Sequence, residues 1–140
     1  TPDGGGNVVI PASTTSIPPM TFYGCSSLTS VSFESGSQLT AIGDAAFHSS
    51  GLIGNITLPA SLTIIGMEAF YGCSNLISVG FESGSQLTTI GSSAFDSSGL
   101  TGSITLPASL TSIGHMAFDG CSSLTSVSFE NGSLKTTNQG

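Results

Sequence analysis

Apolar residues recur along this chain at fixed offsets, in two kinds of short cluster separated by polar turn residues. One cluster is Leu-x-x-Val-x-Phe, at Leu28, Val31 and Phe33, at Leu76, Val79 and Phe81, and at Leu124, Val127 and Phe129. Its Val-x-Phe end alternates with the period of two of a half-buried strand. The other is Leu-Thr-x-Ile-Gly, ending at Gly43, Gly66, Gly91 and Gly114, and Ala-Phe follows after two variable residues. The pattern predicts two short strands per repeat and almost no α-helix.

The clusters belong to a longer repetition. Residues 58–85 read LPASLTIIGMEAFYGCSNLISVGFESGS and residues 106–133 read LPASLTSIGHMAFDGCSSLTSVSFENGS, a period of 48, with a frayed copy over 10–37. Shorter variants, QLTAIGDAAFHSSGLIGNITL from Gln38 and QLTTIGSSAFDSSGLTGSITL from Gln86, lie between these copies. Phe22, Phe47, Phe70, Phe95 and Phe118 therefore step by 25, 23, 25 and 23 residues. The spacing from Phe22 to Phe33 and from Phe47 to Leu58 is 11 in both cases, so the core register is expected to hold. The two extra residues fall in the loop after Phe33, Glu34 to Leu39, against Pro59 to Leu62 in the shorter coil. No single repeat of this size can bury its own apolar face, and only stacking makes a core. The expected fold is a solenoid of stacked 23- and 25-residue coils with short parallel β-strands, forming one array of about five coils over residues 1–140 with a divergent tail at 134–140. The Gly after each Ile marks either a positive φ or a close approach to the next coil. Pro18 stands there in the first coil, which is expected to be irregular for that reason.

Composition narrows the partners. Charged residues are 6% of the chain, the net charge is −7, and Lys135 is the only basic residue. With a single cation to neutralise phosphates, nucleic acid and anionic membrane surfaces are poor partners. Mean hydropathy is +0.35, yet no apolar run reaches the roughly 20 residues of a membrane span, so no membrane insertion is expected. Both ends read as cut, and the chain is expected to be a fragment of a longer protein.

The motifs Leu-x-x-Val-x-Phe and LPxxLTxIGxxAFxGCSxL, with their 23-residue spacing, resemble the BspA-like, or treponemal-type, leucine-rich repeat from about Val8 to Ser133. The departures are the 25-residue coil, the loss of Gly-Cys at His48-Ser-Ser-Gly51 and Asp96-Ser-Ser-Gly99, and the Pro18-Pro19 turn. The resemblance implies a leucine-rich-repeat solenoid in a secreted or cell-surface protein of host-associated bacteria or protozoan parasites, with adhesion to host proteins or cells as the family's recurrent role. It implies no catalytic residues.

Candidate chemistry is sparse. Cys25, Cys73 and Cys121 recur every 48 residues, which sets their Cα atoms about 10 Å apart in a stack, too far for a disulfide. They read as small buried hydrophobes. No nucleophile elbow, phosphate loop or HExxH motif is present, so no enzyme activity and no cofactor are expected. Glu34, Glu82 and Glu130 form a periodic row that reads as isolated, solvated carboxylates. The residue after each repeated Phe varies instead of repeating: Tyr23, His48, Tyr71, Asp96, Asp119. With Met67 and His115 nearby, this row is the candidate binding strip, since Tyr, His and Met supply contact chemistry that Ser and Thr do not. Asp96 and Asp119 should stack about 5 Å apart and could share a weak Ca²⁺. The expected function is a surface-displayed module for protein–protein interaction or host adhesion. The alternatives are a structural spacer, or a carbohydrate-binding segment that would use the hydroxyl-rich strand face.

Overall fold

A computed structural model of the chain describes residues 6–130. Within them the polypeptide winds as a β-solenoid of about five stacked turns built from parallel strands, with no helix among the described residues. Each turn contributes one longer and one two-residue strand. The longer strands are β1 (Asn7–Ile10), β3 (Ser30–Phe33), β5 (Gly54–Leu58), β7 (Leu76–Phe81), β9 (Gly102–Leu106) and β11 (Leu124–Phe129). The short ones are β2 (Ser16–Ile17), β4 (Ala41–Ile42), β6 (Ile64–Ile65), β8 (Thr89–Ile90) and β10 (Ser112–Ile113), which form one continuous parallel ladder. Alternation sets the faces as the sequence predicts: in β5, Ile56 and Leu58 turn inward while Asn55 and Thr57 face solvent.

The core is a set of columns, one per apolar position of the repeat. Phe22, Phe47, Phe70, Phe95 and Phe118 stack face to face with centroid separations of 5.2, 5.1, 5.2 and 5.5 Å. A Phe side chain yields roughly 1.5–3 kcal/mol when fully buried, and here most of that burial is supplied by the coils above and below. Between the short strand and the next long one the chain makes a turn segment centred on each Phe. Its N–H groups alternate in destination: those of Ala45, Phe47 and Ser49 donate to Met67, Ala69 and Tyr71 of the next coil, whereas those of Ala46, His48 and Ser50 close turns within their own coil. A left-handed residue stands two positions before each Phe, with φ between 55° and 61° from Met20 to Met116. Outside the core, threonine hydroxyls bind coil to coil, Thr40 to the Thr15 carbonyl, Thr63 to that of Thr40, Thr88 to that of Thr63 and Thr111 to that of Thr88.

Four expectations are decided or changed. Of the two readings of the repeated Gly, close approach holds and positive φ does not: Gly43, Gly66, Gly91 and Gly114 lie against the preceding coil, where a Cβ would come within 2.5, 2.7, 2.6 and 2.3 Å of a backbone atom. Pro18 occupies that position in the first of the described coils. The first turn is nevertheless regular: Met20 takes the common φ of 61° and β2 pairs with β4 in register. The Glu row is not free in solvent. Glu34, Glu82 and Glu130 accept the backbone N–H of Ala12, Ala60 and Ala108 at 2.8, 2.9 and 3.0 Å, each reaching to the coil before. The proline before each of those alanines ends the strand, and the carboxylate takes the N–H left over.

The fourth change concerns the long strands, which pair only in twos, β1 with β3, β5 with β7 and β9 with β11. Leu28 follows Phe22 by six residues, but Leu52 follows Phe47 by five. The variant coil lacks one residue before its Leu and regains it after, where Gly54 and Gly102 adopt φ of 77° and 64° and the pairing register shifts. The overall spacing of 11 conceals this compensated pair of changes.

Candidate functional site

The turn segments form one long edge of the stack, and the residue after each Phe projects along it. The parallel stacking that aligns the Phe column therefore aligns this outer row as well. Tyr23 and His48 stack with centroids 4.5 Å apart and an interplanar angle of 17°, and His48 and Tyr71 stack at 4.7 Å and 14°. The result is a Tyr–His–Tyr ladder over three consecutive coils. Its ends differ in exposure: Tyr23 is 49% exposed and Tyr71 half-buried. Met20 and Met67, at 57% and 49%, stand on the same edge.

His48 is fixed from several sides. Its Nδ1 lies 2.9 Å from the Ser49 hydroxyl, and its Nε2 lies 3.7 Å from a carboxylate oxygen of Glu68 on the next coil. Asp44 is occupied differently, accepting the Met67 N–H at 2.9 Å. In the fourth coil the row changes character. Asp96 is buried and accepts the Ser97 hydroxyl at 2.7 Å, while Asp119 remains exposed. Asp96 is therefore not the solvated carboxylate that its place in the row predicts, because it is buried and bonded to its neighbour Ser97. Among the described residues no group of three or more His, Cys, Asp or Glu could hold a metal ion. His115 is exposed in the fifth coil, apart from the ring ladder.

Cys73 and Cys121 lie inside, as expected, whereas Cys25 in the first coil is only partly buried. Cys73 donates its thiol to the Phe47 carbonyl at 3.1 Å and sits 3.6 Å from the Ser50 hydroxyl; Cys121 does the same with Phe95 at 3.0 Å and Ser98 at 3.2 Å. Burial pushes both thiols up from their ordinary range, against the lowering effect of Ser50 and Ser98. The thiolate is the reactive form, so these two groups are structural donors. Their buried serine partners went unnoticed in the sequence, although Ser50 and Ser98 stand where the variant coils lose Gly-Cys.

The profile of the BspA type leucine rich repeat region matches six copies, over residues 6–125 and 88–140. The chain belongs to the BspA-type leucine-rich repeat family. Among solved BspA-type and related repeat structures, it is similar to the pneumococcal vaccine antigen PcpA, with 35% identity and a TM-score of 0.85 over 94% of this chain and 34% of that one. It is also similar to a leucine rich cell surface protein from Faecalibacterium prausnitzii A2-165, with 25% identity and a TM-score of 0.58 over 88% of this chain and 38% of that one. The chain thus spans little more than a third of the length of either. No curated protein sequence matches it. The BspA-type repeat explains the columns and the ladders, which every coil shares. The Tyr23, His48 and Tyr71 rings stand at a position that varies from coil to coil within this chain.

Proposed function

We propose that the chain is a non-enzymatic repeat module, displayed at a cell surface or secreted, that holds a protein partner along its turn edge and so serves adhesion. The observation that carries this reading is the Tyr23–His48–Tyr71 ladder with Met20 and Met67 beside it. Aromatic and Met side chains are enriched where proteins meet, and they dominate contact energy when water is excluded around them. The rings stand outside the hydrophobic core cluster, and Asp119 occupies the equivalent position in the fifth coil. Family membership supports the display part of the reading, since a relative of similar fold is described as a cell surface protein.

The test is attachment. Beads coated with the chain are offered to cultured epithelial cells and to a panel of extracellular matrix proteins, beside beads coated with Tyr23→Ser/Tyr71→Ser. The reading expects attachment by the native chain and its loss in the variant. Equal attachment by both would move the contact surface to another face.

A further inference from the structure

From the charge around the ladder, we infer that the occupant of the turn edge is an extended protein segment rich in Arg or Lys. The inference rests on the docking reading above and specifies its partner. The same edge carries Asp44, Glu68 and Asp119, and the chain's only Lys or Arg is Lys135, outside the described residues. The rings are stacked on one another along the solenoid, so their inner faces are already covered. What they offer a partner is their outer edges and, at the N-terminal end of the ladder, the half-exposed ring of Tyr23. Beyond Tyr71 the row continues with Asp96, which is buried, and then with the exposed Asp119. A guanidinium or ammonium laid along this edge would meet rings over three coils and exposed carboxylates at Asp44 and Asp119, with Glu68 on the same coil as Tyr71. Cations are favoured over aromatic faces, and an Arg fork also matches a carboxylate.

Size agrees with an extended chain. Tyr23 and Asp119 are separated by four coil steps of about 4.8 Å, roughly 19 Å in all, which about six residues of extended polypeptide span. An acidic segment would face repulsion along that whole length. A purely apolar one would draw nothing from the negative charge of the edge.

The probe is a fluorescein-labelled peptide of alternating Arg and Ser, followed by anisotropy at neutral pH, with a second peptide carrying Gln for every Arg. The Arg peptide is expected to bind and the Gln peptide to bind at least about tenfold more weakly. Binding of the Arg peptide should fall between about 50 mM and about 500 mM NaCl, across which the screening length drops from more than roughly 10 Å to under 5 Å. Glu68→Gln with Asp119→Asn should flatten that salt dependence. Tyr71→Asp, which places at this position the residue that the same row carries at Asp119, should cost about tenfold even at low salt. Its fold is checked by an unchanged thermal melt. Equal binding of both peptides overturns the inference. So does equal binding of the Arg peptide by the native chain and Tyr71→Asp, since that would be ion exchange with a negatively charged protein. If cells or matrix proteins attach through the ladder but attachment ignores salt and the charge variants, the docking reading stands and the basic partner is refuted.

Discussion

Replacing Gly91 by Ala tests the stacking geometry at a point where backbone meets backbone. A Cβ there would lie 2.6 Å from the Met67 nitrogen, 2.7 Å from the Gly66 carbonyl carbon and 2.9 Å from the Met67 Cα, all backbone atoms that no side-chain rotation can move. Restoring an ordinary separation of about 3.5–4 Å requires the third and fourth coils to part locally by roughly 1 Å. The Gly91 N–H bond to Ile65, now 2.8 Å, and the Thr89 N–H bond to Thr63, at 3.2 Å, would be stretched or lost. Overpacking strain of about 1–3 kcal/mol and one or two hydrogen bonds of about 1 kcal/mol each give an expected loss of about 2–5 kcal/mol. Two other glycines serve as controls. Gly84 has φ of 79° and open space around its missing Cβ, so Gly84→Ala carries only left-handed strain, about 1–2 kcal/mol. Gly80 has an ordinary φ and a nearest atom, Thr57 Oγ1, at 3.8 Å; Gly80→Ala should be neutral or stabilise by about 0.4–1 kcal/mol through the unfolded chain. Urea unfolding followed by circular dichroism should rank the three in that order. A Gly91→Ala loss no larger than that of Gly84→Ala would refute the close-approach argument.

The thiols should differ in accessibility: in the folded protein Cys25, only partly buried, reacts with a chromogenic disulfide well before Cys73 and Cys121, and all three react alike in denaturant. Alkaline stability should follow from the raised thiol values. Cys73 and Cys121 stay protonated in the fold above the 9.0 at which the unfolded thiols ionise, so their contribution is complete below that pH and is lost as pH rises toward the folded-state values; a chain with both replaced by Ala should show a weaker decline in melting temperature over that window. Glu82→Ala removes the acceptor for the Ala60 N–H and should cost about 1 kcal/mol in urea unfolding, with Glu82→Gln recovering most of it.

The architecture was legible because a stacked fold writes its core into the sequence as a period. The positions of Phe47, Ile65 and Leu76 had to be apolar in every coil, and comparison between copies separated them from the row headed by Tyr23. That row's variability also located the candidate site. What the residues could not disclose were contacts made across a coil step, where both partners look ordinary in one dimension. Glu34 with the Ala12 N–H, Cys73 with Ser50, and the side-by-side rings of Tyr23 and His48 are of this kind. Asp96 misled for a related reason, because its position in the row predicts exposure, whereas the Ser97 hydroxyl beside it supplies a local partner. The shift at Gly54 was hidden by its own compensation, one residue lost before Leu52 and one gained after.

Several of the specific contacts fall within the same two coils. β5 pairs with β7, Cys73 sits over Ser50, and Glu82 clasps the turn at Ala60, while the next pair repeats each of these with β9 and β11, Cys121 over Ser98 and Glu130 on Ala108. A gene that gained or lost one coil would set Cys above Cys and leave a carboxylate facing a loop with no free N–H to receive it. Recombination between copies is therefore neutral to the packing only in whole 48-residue units. Natural length variants of this array should differ by even numbers of coils, so that the ruler by which such a protein extends has a mark at every second turn.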